Sequence, residues 1–235
     1  MKGIHAEKVN GIANDLSLLR GSVSAMDQMK INLNSSQLHS GKVLMVAKGI
    51  NFRYQSNWLW NNPLSFQLTS GQRIALQGSN GSGKTTLIQL ILGERSPQMG
   101  HITRSKIDAI YIDQDYGLLH HGLTVYQQAQ QFNSGILLEH EIKTRLSRFL
   151  FTRDQWDEPC GALSGGEKMR LMLCGLTIQN QSPDLMILDE PTNNLDLQNI
   201  EILTKAINSY QGTLVVASHD EHFLNQIGIT SSISL

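Results

Sequence analysis

The chain has 235 residues, which is enough for a domain with its own apolar core and no disulfide or metal staple. Its apolar share of 40% and charged share of 17% are those of a globular protein, and they exclude a disordered or fibrous chain. A formal net charge of -1 gives no bulk attraction to nucleic acid or to an anionic membrane.

The first part of the chain contains a polar lead, two strands and a helix. Residues 1–42 are rich in Asn, Ser and Gly and only weakly periodic, so we predict a linker or a helical remnant there. Residues 43–54 and 73–76 have the apolar texture of strands. Apolar residues share one face over residues 84–92, and Gly93 stands where a C-terminal cap belongs, so we predict a helix there.

The middle of the chain combines one strand with a helical insert. Residues 107–113 predict a strand. Apolar residues recur three and four positions apart over residues 124–132 and 137–151, which predicts helices. With a further helix over residues 166–179, they predict a small helical subdomain over about residues 116–178.

The last part of the chain alternates strands with helices again. We predict strands over residues 185–189 and 213–218, a helix over residues 197–209, and a short helix from Glu221. Such alternation predicts a mainly parallel sheet with its ligand at the carboxyl ends of the strands. The sequence therefore predicts an α/β domain over residues 43–235.

The cysteines and the first residues bear on the cell compartment. Cys160 and Cys174 form no C-x-x-C pair and lie far from any histidine cluster, which argues against zinc and against a disulfide framework. The chain opens on polar residues instead of an apolar signal segment, and its most apolar runs are only as long as strands. We therefore expect reduced, partly buried cysteines, a cytoplasmic location and no membrane insertion by this chain itself.

A phosphate-binding loop is predicted between the second strand and the first helix. Residues 78–85 have the sequence GSNGSGKT and match G-x-x-x-x-G-K-[ST]. Its three glycines permit positive φ and leave room for the backbone to wrap a phosphate, which the N–H groups then hold. Lys84 is expected to reach the β- and γ-phosphates, and the Thr85 hydroxyl to ligate Mg²⁺. The predicted nucleotide contacts here are Gly78, Ser79, Asn80, Gly81, Ser82, Gly83, Lys84, Thr85 and Thr86.

Two carboxylates end the predicted strand at residues 185–190, LMILDE. Successive side chains of a strand point to opposite faces, so Asp189 and Glu190 are expected to do different work. Asp189 suits a Mg²⁺ ion held largely through water, because Mg²⁺ keeps much of its hydration shell. Glu190 is then expected to face the γ-phosphate and to orient or deprotonate the attacking water. The alternative is that the pair only caps the next helix.

The order of the motifs resembles that of the ABC (ATP-binding cassette) ATPases. The phosphate loop is followed by Gln114, by LSGGE at residues 163–167, by LMILDEPTNNLD at residues 185–196, and by SHD at residues 218–220. The likeness covers about residues 43–235. It implies a P-loop NTPase fold with a mainly parallel core sheet, an antiparallel β part and a small helical subdomain. It also implies that the domain binds ATP and Mg²⁺ and hydrolyses ATP to ADP and phosphate.

The resemblance implies roles for three residues outside the phosphate loop. Gln114 looks like the residue that ligates Mg²⁺ and senses the attacking water, and His219 looks like the switch histidine that contacts the γ-phosphate. Tyr54 looks like the aromatic platform that stacks on adenine, with Phe52 and Trp58 as nearby rivals. Taken singly, the three residues have alternatives: a surface glutamine, a core histidine and a core tyrosine.

The LSGGE segment is expected to form a second anion site. Ser164 and the N–H groups of Gly165 and Gly166 stand at a predicted helix N-terminus, which attracts anions. In the ABC family this site closes on the γ-phosphate held by the opposite domain. The resemblance therefore implies a second ABC ATPase domain as partner, in the same full-length chain or by homodimerisation.

Within the family, DEPTNNLD at residues 189–196 is similar to the DEPTNHLD of the ABC-F group, soluble tandem ATPases of which many act on ribosomes. Asn194 departs from the usual His of that group, and Glu221 from the usual Arg. The chain resembles the second domain of such a protein, preceded by the end of its linker at residues 1–42. This resemblance implies the ribosome and transfer RNA as partners, with translation or antibiotic resistance as output.

Two other functions compete with the ABC-F interpretation. One is the ATP-binding subunit of an ABC membrane transporter, for which residues 115–162 would have to dock a membrane partner. The other is a regulatory domain that binds nucleotide without hydrolysing it. The presence of Glu190 and His219 argues against the second.

Overall fold

Two main sheets, a two-stranded hairpin, six α-helices and two short 3-10 helices make up the part of the protein that the computed structural model describes, which is residue 39 and residues 41–235. The linker predicted over residues 1–42 lies almost entirely outside these residues, and the domain boundaries remain predictions.

The first sheet has three antiparallel strands in the order β4, β1, β6. Their bounds are Val43–Asn51 for β1, Leu64–Thr69 for β4 and Met99–Arg104 for β6. A small hairpin follows β1, formed by β2 (Arg53–Tyr54) and β3 (Asn57–Trp58). This sheet confirms the antiparallel part that the family resemblance implied. Sequence patterning had indicated only β1, because the side chains of β6 are nearly all exposed.

The second sheet has five strands, all parallel, in the order β10, β5, β9, β8, β7. The strands are β5 (Arg73–Gln77), β7 (Ala109–Ile112), β8 (Leu185–Asp189), β9 (Thr213–Ala217) and β10 (Ser231–Ser234). The two central strands, β8 and β9, are almost wholly buried, as expected for a parallel sheet covered on both faces. The predicted core sheet is therefore confirmed, with β10 added at its edge.

The helices lie within three residues of their predicted bounds, and the largest difference is at the end of the helix predicted over residues 137–151. They are α1 (Lys84–Leu92), α2 (Val125–Gln131), α3 (Glu139–Arg148), α4 (Gly165–Ile178), α5 (Leu197–Ser209) and α6 (Glu221–Gln226). Helices α2, α3 and α4 pack against one another, and α4 also packs against α5. None of the described helices is both long enough and apolar enough to cross a bilayer.

The apolar core has two parts, one on each side of the parallel sheet. One lies between the antiparallel sheet, α1 and the parallel sheet, and the other joins α2 to α6. Cys160 and Cys174 belong to the second part, and both are free and fully buried. The prediction of unpaired cysteines is confirmed, although the expected partial burial underestimates how deeply they lie.

Candidate functional site

The phosphate loop connects β5 to α1, and two of its glycines have the expected backbone conformation. Gly81 has φ 82° and Gly83 has φ 97°, both in the left-handed region that side chains disfavour. Gly78 does not have a positive φ. A Cβ on Gly78 would lie 2.4 Å from the Oγ of Ser82, so glycine is needed there for space.

Helix α1 begins directly behind the loop and leaves its first N–H groups free of a side-chain cap. Gly83 is the N-cap, and no side chain accepts a hydrogen bond from the first turn. The first N–H groups of a helix have no partner within it, so this end favours an anion. The loop is held from behind by Trp60, a buried residue whose Nε1 donates to the carbonyl of Ser82 at 3.0 Å. Sequence patterning gave no sign of this contact.

Lys84 lies at the centre of a polar cluster. Its Nζ donates to the carbonyl of Gly78 at 2.8 Å and lies 2.9 Å from Nε2 of His219. The Oε1 of Glu190 is 3.8 Å from that Nζ and 3.4 Å from the same nitrogen of His219. Three residues that are far apart in the sequence therefore meet, as their predicted roles require.

Asp189 faces the other side of the phosphate loop. Its Oδ2 accepts a hydrogen bond from Tyr111 OH at 3.0 Å and a longer one from Thr85 Oγ1 at 3.4 Å. Burial, and next the charge of Asp189, raise the pKa of Tyr111. The phenol therefore keeps its proton and donates a hydrogen bond to the carboxylate. Tyr111 is a second site residue that sequence patterning missed. The sequence places it on a strand but does not say that this strand, β7, lies beside β8.

Glu190 does not continue the alternation of β8. Its φ of 49° is rare for a residue with a side chain, and its N–H donates to the carbonyl of Ala217 at 2.7 Å. This kink lets Asp189 and Glu190 line the same cleft while they contact different partners. The different partners of Asp189 and Glu190 agree with the prediction that the two carboxylates have different roles. The predicted reason, that their side chains point to opposite faces of the sheet, is wrong, because both line the cleft.

Most of the predicted site residues line one open cleft. Its volume of about 760 Å³ lies within the range of roughly 300–1,000 Å³ that is typical of small-molecule sites. Gln114, exposed just beyond the end of β7, and His219, just beyond β9, both line it. The other residues that line the cleft are Tyr54, Leu59, Ser79, Asn80, Gly81, Gly83, Lys84, Thr85, Thr86, Asp189, Glu190 and Asn193. Two predicted loop residues, Gly78 and Ser82, support the cleft from outside.

Of the three candidate aromatic platforms, only Tyr54 lines the cleft. Its ring is half exposed, and its hydroxyl is 3.0 Å from Thr86 Oγ1. Phe52 is buried and packs its ring at 5.2 Å from that of Tyr54. Trp58 is exposed but faces Arg53. This arrangement favours Tyr54 over both rivals.

The LSGGE segment lies apart from the cleft. Ser164 is the N-cap of α4, with the N–H groups of Gly165 and Gly166 in the first turn. Among the described residues that line the cleft, none belongs to this segment. Gly166 also has a packing role, because a Cβ there would lie 2.2 Å from Nδ2 of Asn199 on α5. The two predicted anion sites are therefore separate places on the described part of the domain.

The residues near Thr85 fit a magnesium ion. A hydroxyl and the carboxylate of Asp189 stand 3.4 Å apart at the mouth of the loop, and both are oxygen donors. Within the described part of the chain, no cluster of three or more His, Cys, Asp or Glu could hold a metal by itself. Mg²⁺ does not need such a cluster, because it binds through one or two protein oxygens, water and substrate phosphates.

Comparison with known proteins places the chain in a family. The family model described as ABC transporter matches residues 61–193, more than half of the chain. The chain belongs to this family. It is an ATP-binding ABC domain, and the match spans the phosphate loop, LSGGE and both acidic residues of β8 and its end.

Two relatives of this ABC domain support the resemblance to the ABC-F group. The ATP-binding protein Uup of Buchnera aphidicola is 36% identical over 198 residues, covering 83% of this chain and 33% of the relative. The ABC transporter F family member 5 of Arabidopsis thaliana is 34% identical over 210 residues, covering 85% of this chain and 29% of the relative. The chain therefore spans about a third of the length of these relatives.

A solved structure agrees on the fold of the ABC domain. A bacterial Atm1-family ABC exporter with ATP bound matches with a TM-score of 0.65 at 19% identity. The match covers 81% of this chain and 37% of the exporter chain. At this identity the likeness shows the fold alone.

Proposed function

We propose that this ABC domain binds ATP with Mg²⁺ in the cleft and hydrolyses it to ADP and phosphate. One observation carries the proposal: a single cleft brings together all the side chains that this reaction needs. They are the cation Lys84, the oxygen donors Thr85 and Asp189, the candidate base Glu190, and His219. Phosphoryl transfer needs charge neutralisation and positioning, and this group of side chains supplies both.

Binding begins at the phosphate loop. The free N–H groups at the start of α1 receive the phosphate oxygens, and Lys84 exchanges its contacts with Gly78 and His219 for the triphosphate. Tyr54 stacks on the base, with its hydroxyl held by Thr86. Thr85 and Asp189 would hold Mg²⁺, which when bound would supply positive charge that offsets the charge of the phosphates.

Hydrolysis then depends on three side chains around the γ-phosphate. Glu190 takes a proton from the attacking water, whose oxygen bonds to the γ-phosphorus as the bond to the bridging oxygen of ADP breaks. His219, 3.4 Å from Glu190, keeps the carboxylate and the water aligned. Gln114 lines the cleft just beyond the end of β7, where it would contact the attacking water and a bound Mg²⁺ ion.

The cleft is one half of the site, and a second ABC domain supplies the other half. In the ABC family the LSGGE site closes on the nucleotide of the opposite domain, and the position of Ser164 outside the cleft of its own domain supports the same role here. ATP binding closes the pair, and hydrolysis releases it. The partner is a second domain of the same full-length protein or a second copy of this chain.

We further propose that the protein is a cytoplasmic ABC-F-type ATPase that acts on the ribosome, with transfer RNA nearby and translation or antibiotic resistance as its output. The similarity to an F family member supports this choice over a transporter subunit. Co-sedimentation of the full-length protein with ribosomes is the expected result. Co-purification with a membrane protein instead would favour the transporter.

We predict that the isolated chain is a monomer with feeble ATPase activity. Two copies must meet to complete each site, so turnover per molecule is expected to fall as the chain is diluted. Steady-state ATPase assays over a dilution series, with sedimentation to report the oligomeric state, measure this. Robust turnover that stays constant per molecule on dilution would contradict the two-domain site.

We also predict that Tyr111→Phe raises the Mg²⁺ concentration needed for half-maximal nucleotide binding and turnover by about fivefold, which corresponds to the loss of one hydrogen bond worth about 1 kcal/mol. Asp189 would lose the contact that fixes its Oδ2. Magnesium titrations of both nucleotide binding and hydrolysis measure the change. Tyr126→Phe on α2 removes a hydroxyl that accepts a hydrogen bond from Gln130 outside the cleft, and it serves as control. Equal magnesium requirements in the two variants would show that Tyr111 does not position Asp189.

A further inference from the structure

The donors of Ser164 are already occupied by a side chain of the same domain. Its hydroxyl donates to Oε2 of Glu167 at 2.7 Å, and its backbone N–H donates to the same oxygen at 2.9 Å. Glu167 stands in the first turn of α4, where its charge also offsets the positive end of the helix. The Ser164 hydroxyl, which is to receive a phosphate from the partner domain, therefore already donates to a carboxylate of its own domain.

Helix capping alone does not require this charge. Helix α2 begins with the same kind of capping box, in which Thr124 N–H donates to Oε1 of Gln127 at 3.0 Å and Gln127 N–H donates back to the hydroxyl at 3.2 Å. A neutral amide thus performs the capping role in this protein. The carboxylate of Glu167 brings something that capping does not need, which is a negative charge beside Ser164.

Glu167 keeps that charge in the folded domain. Burial opposes its ionisation, but hydrogen bonds from Ser164 and the nearby charge of Arg170 outweigh burial and lower the pKa of the carboxyl. Its second oxygen, Oε1, accepts from Nε2 of Gln155 at 3.0 Å, which fixes the carboxylate in place. A phosphate that approaches Ser164 therefore meets a fixed like charge.

We propose that Glu167 is a positioning residue that occupies the Ser164 site from within and so raises the ATP concentration at which two domains close. This inference rests on the proposed nucleotide site and deepens it. For closure, the Ser164 hydroxyl must turn from Glu167 to the partner's γ-phosphate, and the phosphate must approach against the carboxylate. The two domains are therefore expected to stay apart when ATP is scarce or weakly bound.

The test compares ATP-driven association of the full chain with and without this carboxylate. Glu190→Gln serves as background so that bound ATP persists, and sedimentation velocity over a range of MgATP concentrations reports the dimer. Adding Glu167→Gln is expected to lower the half-maximal ATP concentration about fivefold or more, since glutamine preserves the capping box and removes only the charge. The midpoint of thermal unfolding should fall only slightly in Glu167→Gln, which loses the favourable charge at the helix end, and further in Glu167→Ala, which also loses the cap.

A matched control comes from α3, where Glu141 accepts the Leu138 N–H at 2.8 Å in the same kind of position, partly buried like Glu167 and outside the cleft. Glu141→Gln is expected to leave the ATP requirement unchanged. An equal or higher ATP requirement in Glu167→Gln would overturn the inference, as would binding of ATP without association in every variant. Absence of ATP binding in all variants, measured by calorimetry, would instead overturn the proposed function itself.

Discussion

Replacement of Glu190 by glutamine is expected to slow ATP turnover by roughly 10²–10⁴-fold, the usual contribution of a positioned general base, while ATP binding persists. The amide is close in shape to the carboxylate but cannot take a proton from water. It also removes a negative charge that lies 3.8 Å from Lys84, so nucleotide affinity should not fall. Single-turnover hydrolysis at high chain concentration, with nucleotide binding measured in parallel, separates the two effects.

The control for this variant is Glu201→Gln, which removes an exposed carboxylate from α5 outside the cleft. Its turnover should match that of the unaltered chain. Near-normal hydrolysis by Glu190→Gln would mean that another group activates the water, and the assignment of Glu190 would be wrong.

Replacement of Lys84 by methionine is expected to weaken ATP binding about 100-fold or more, because two or more charge-assisted contacts to phosphate are lost at about 1.5–3 kcal/mol each. Methionine preserves the apolar stem of this nearly buried side chain, so the fold should survive. Equilibrium dialysis with MgATP measures the affinity, and circular dichroism checks the fold.

Lys205→Met is the matched control, because Lys205 is exposed on α5 and does not line the cleft. It should bind ATP as the unaltered chain does. If Lys84→Met bound ATP with similar affinity, the phosphates would have to lie elsewhere, and the cleft would not be the nucleotide site.

The parts of this site that sequence patterning predicts are those whose pattern is local. A pattern in consecutive residues predicts each of three elements: the phosphate loop, helix α1 and the buried strand that ends at Asp189. The predicted bounds of the helix and of the strand agree with the structure. Strands β6 and β10 escaped prediction because their side chains are largely exposed and carry no apolar run. Their pairing is determined by neighbours that are distant in the sequence.

The missed details of the site have the same physical origin. Tyr111 meets Asp189 only because β7 pairs with β8, and Trp60 reaches the loop across the fold. The positive φ of Glu190 cannot be seen in a sequence, because it arises where a buried strand ends under tertiary constraint. Asn194 also has a positive φ, a conformation that asparagine tolerates better than most residues, in keeping with its place in the DEPTNNLD segment.

The central claim is that the backbone and Lys84 of the phosphate loop hold the triphosphate of ATP while Thr85 tethers magnesium. Isothermal titration calorimetry of the folded chain with MgATP tests it most directly. Saturable binding of one nucleotide per chain, weakened when magnesium is withheld, is the predicted result. A folded chain that shows no saturable binding of MgATP would contradict the account.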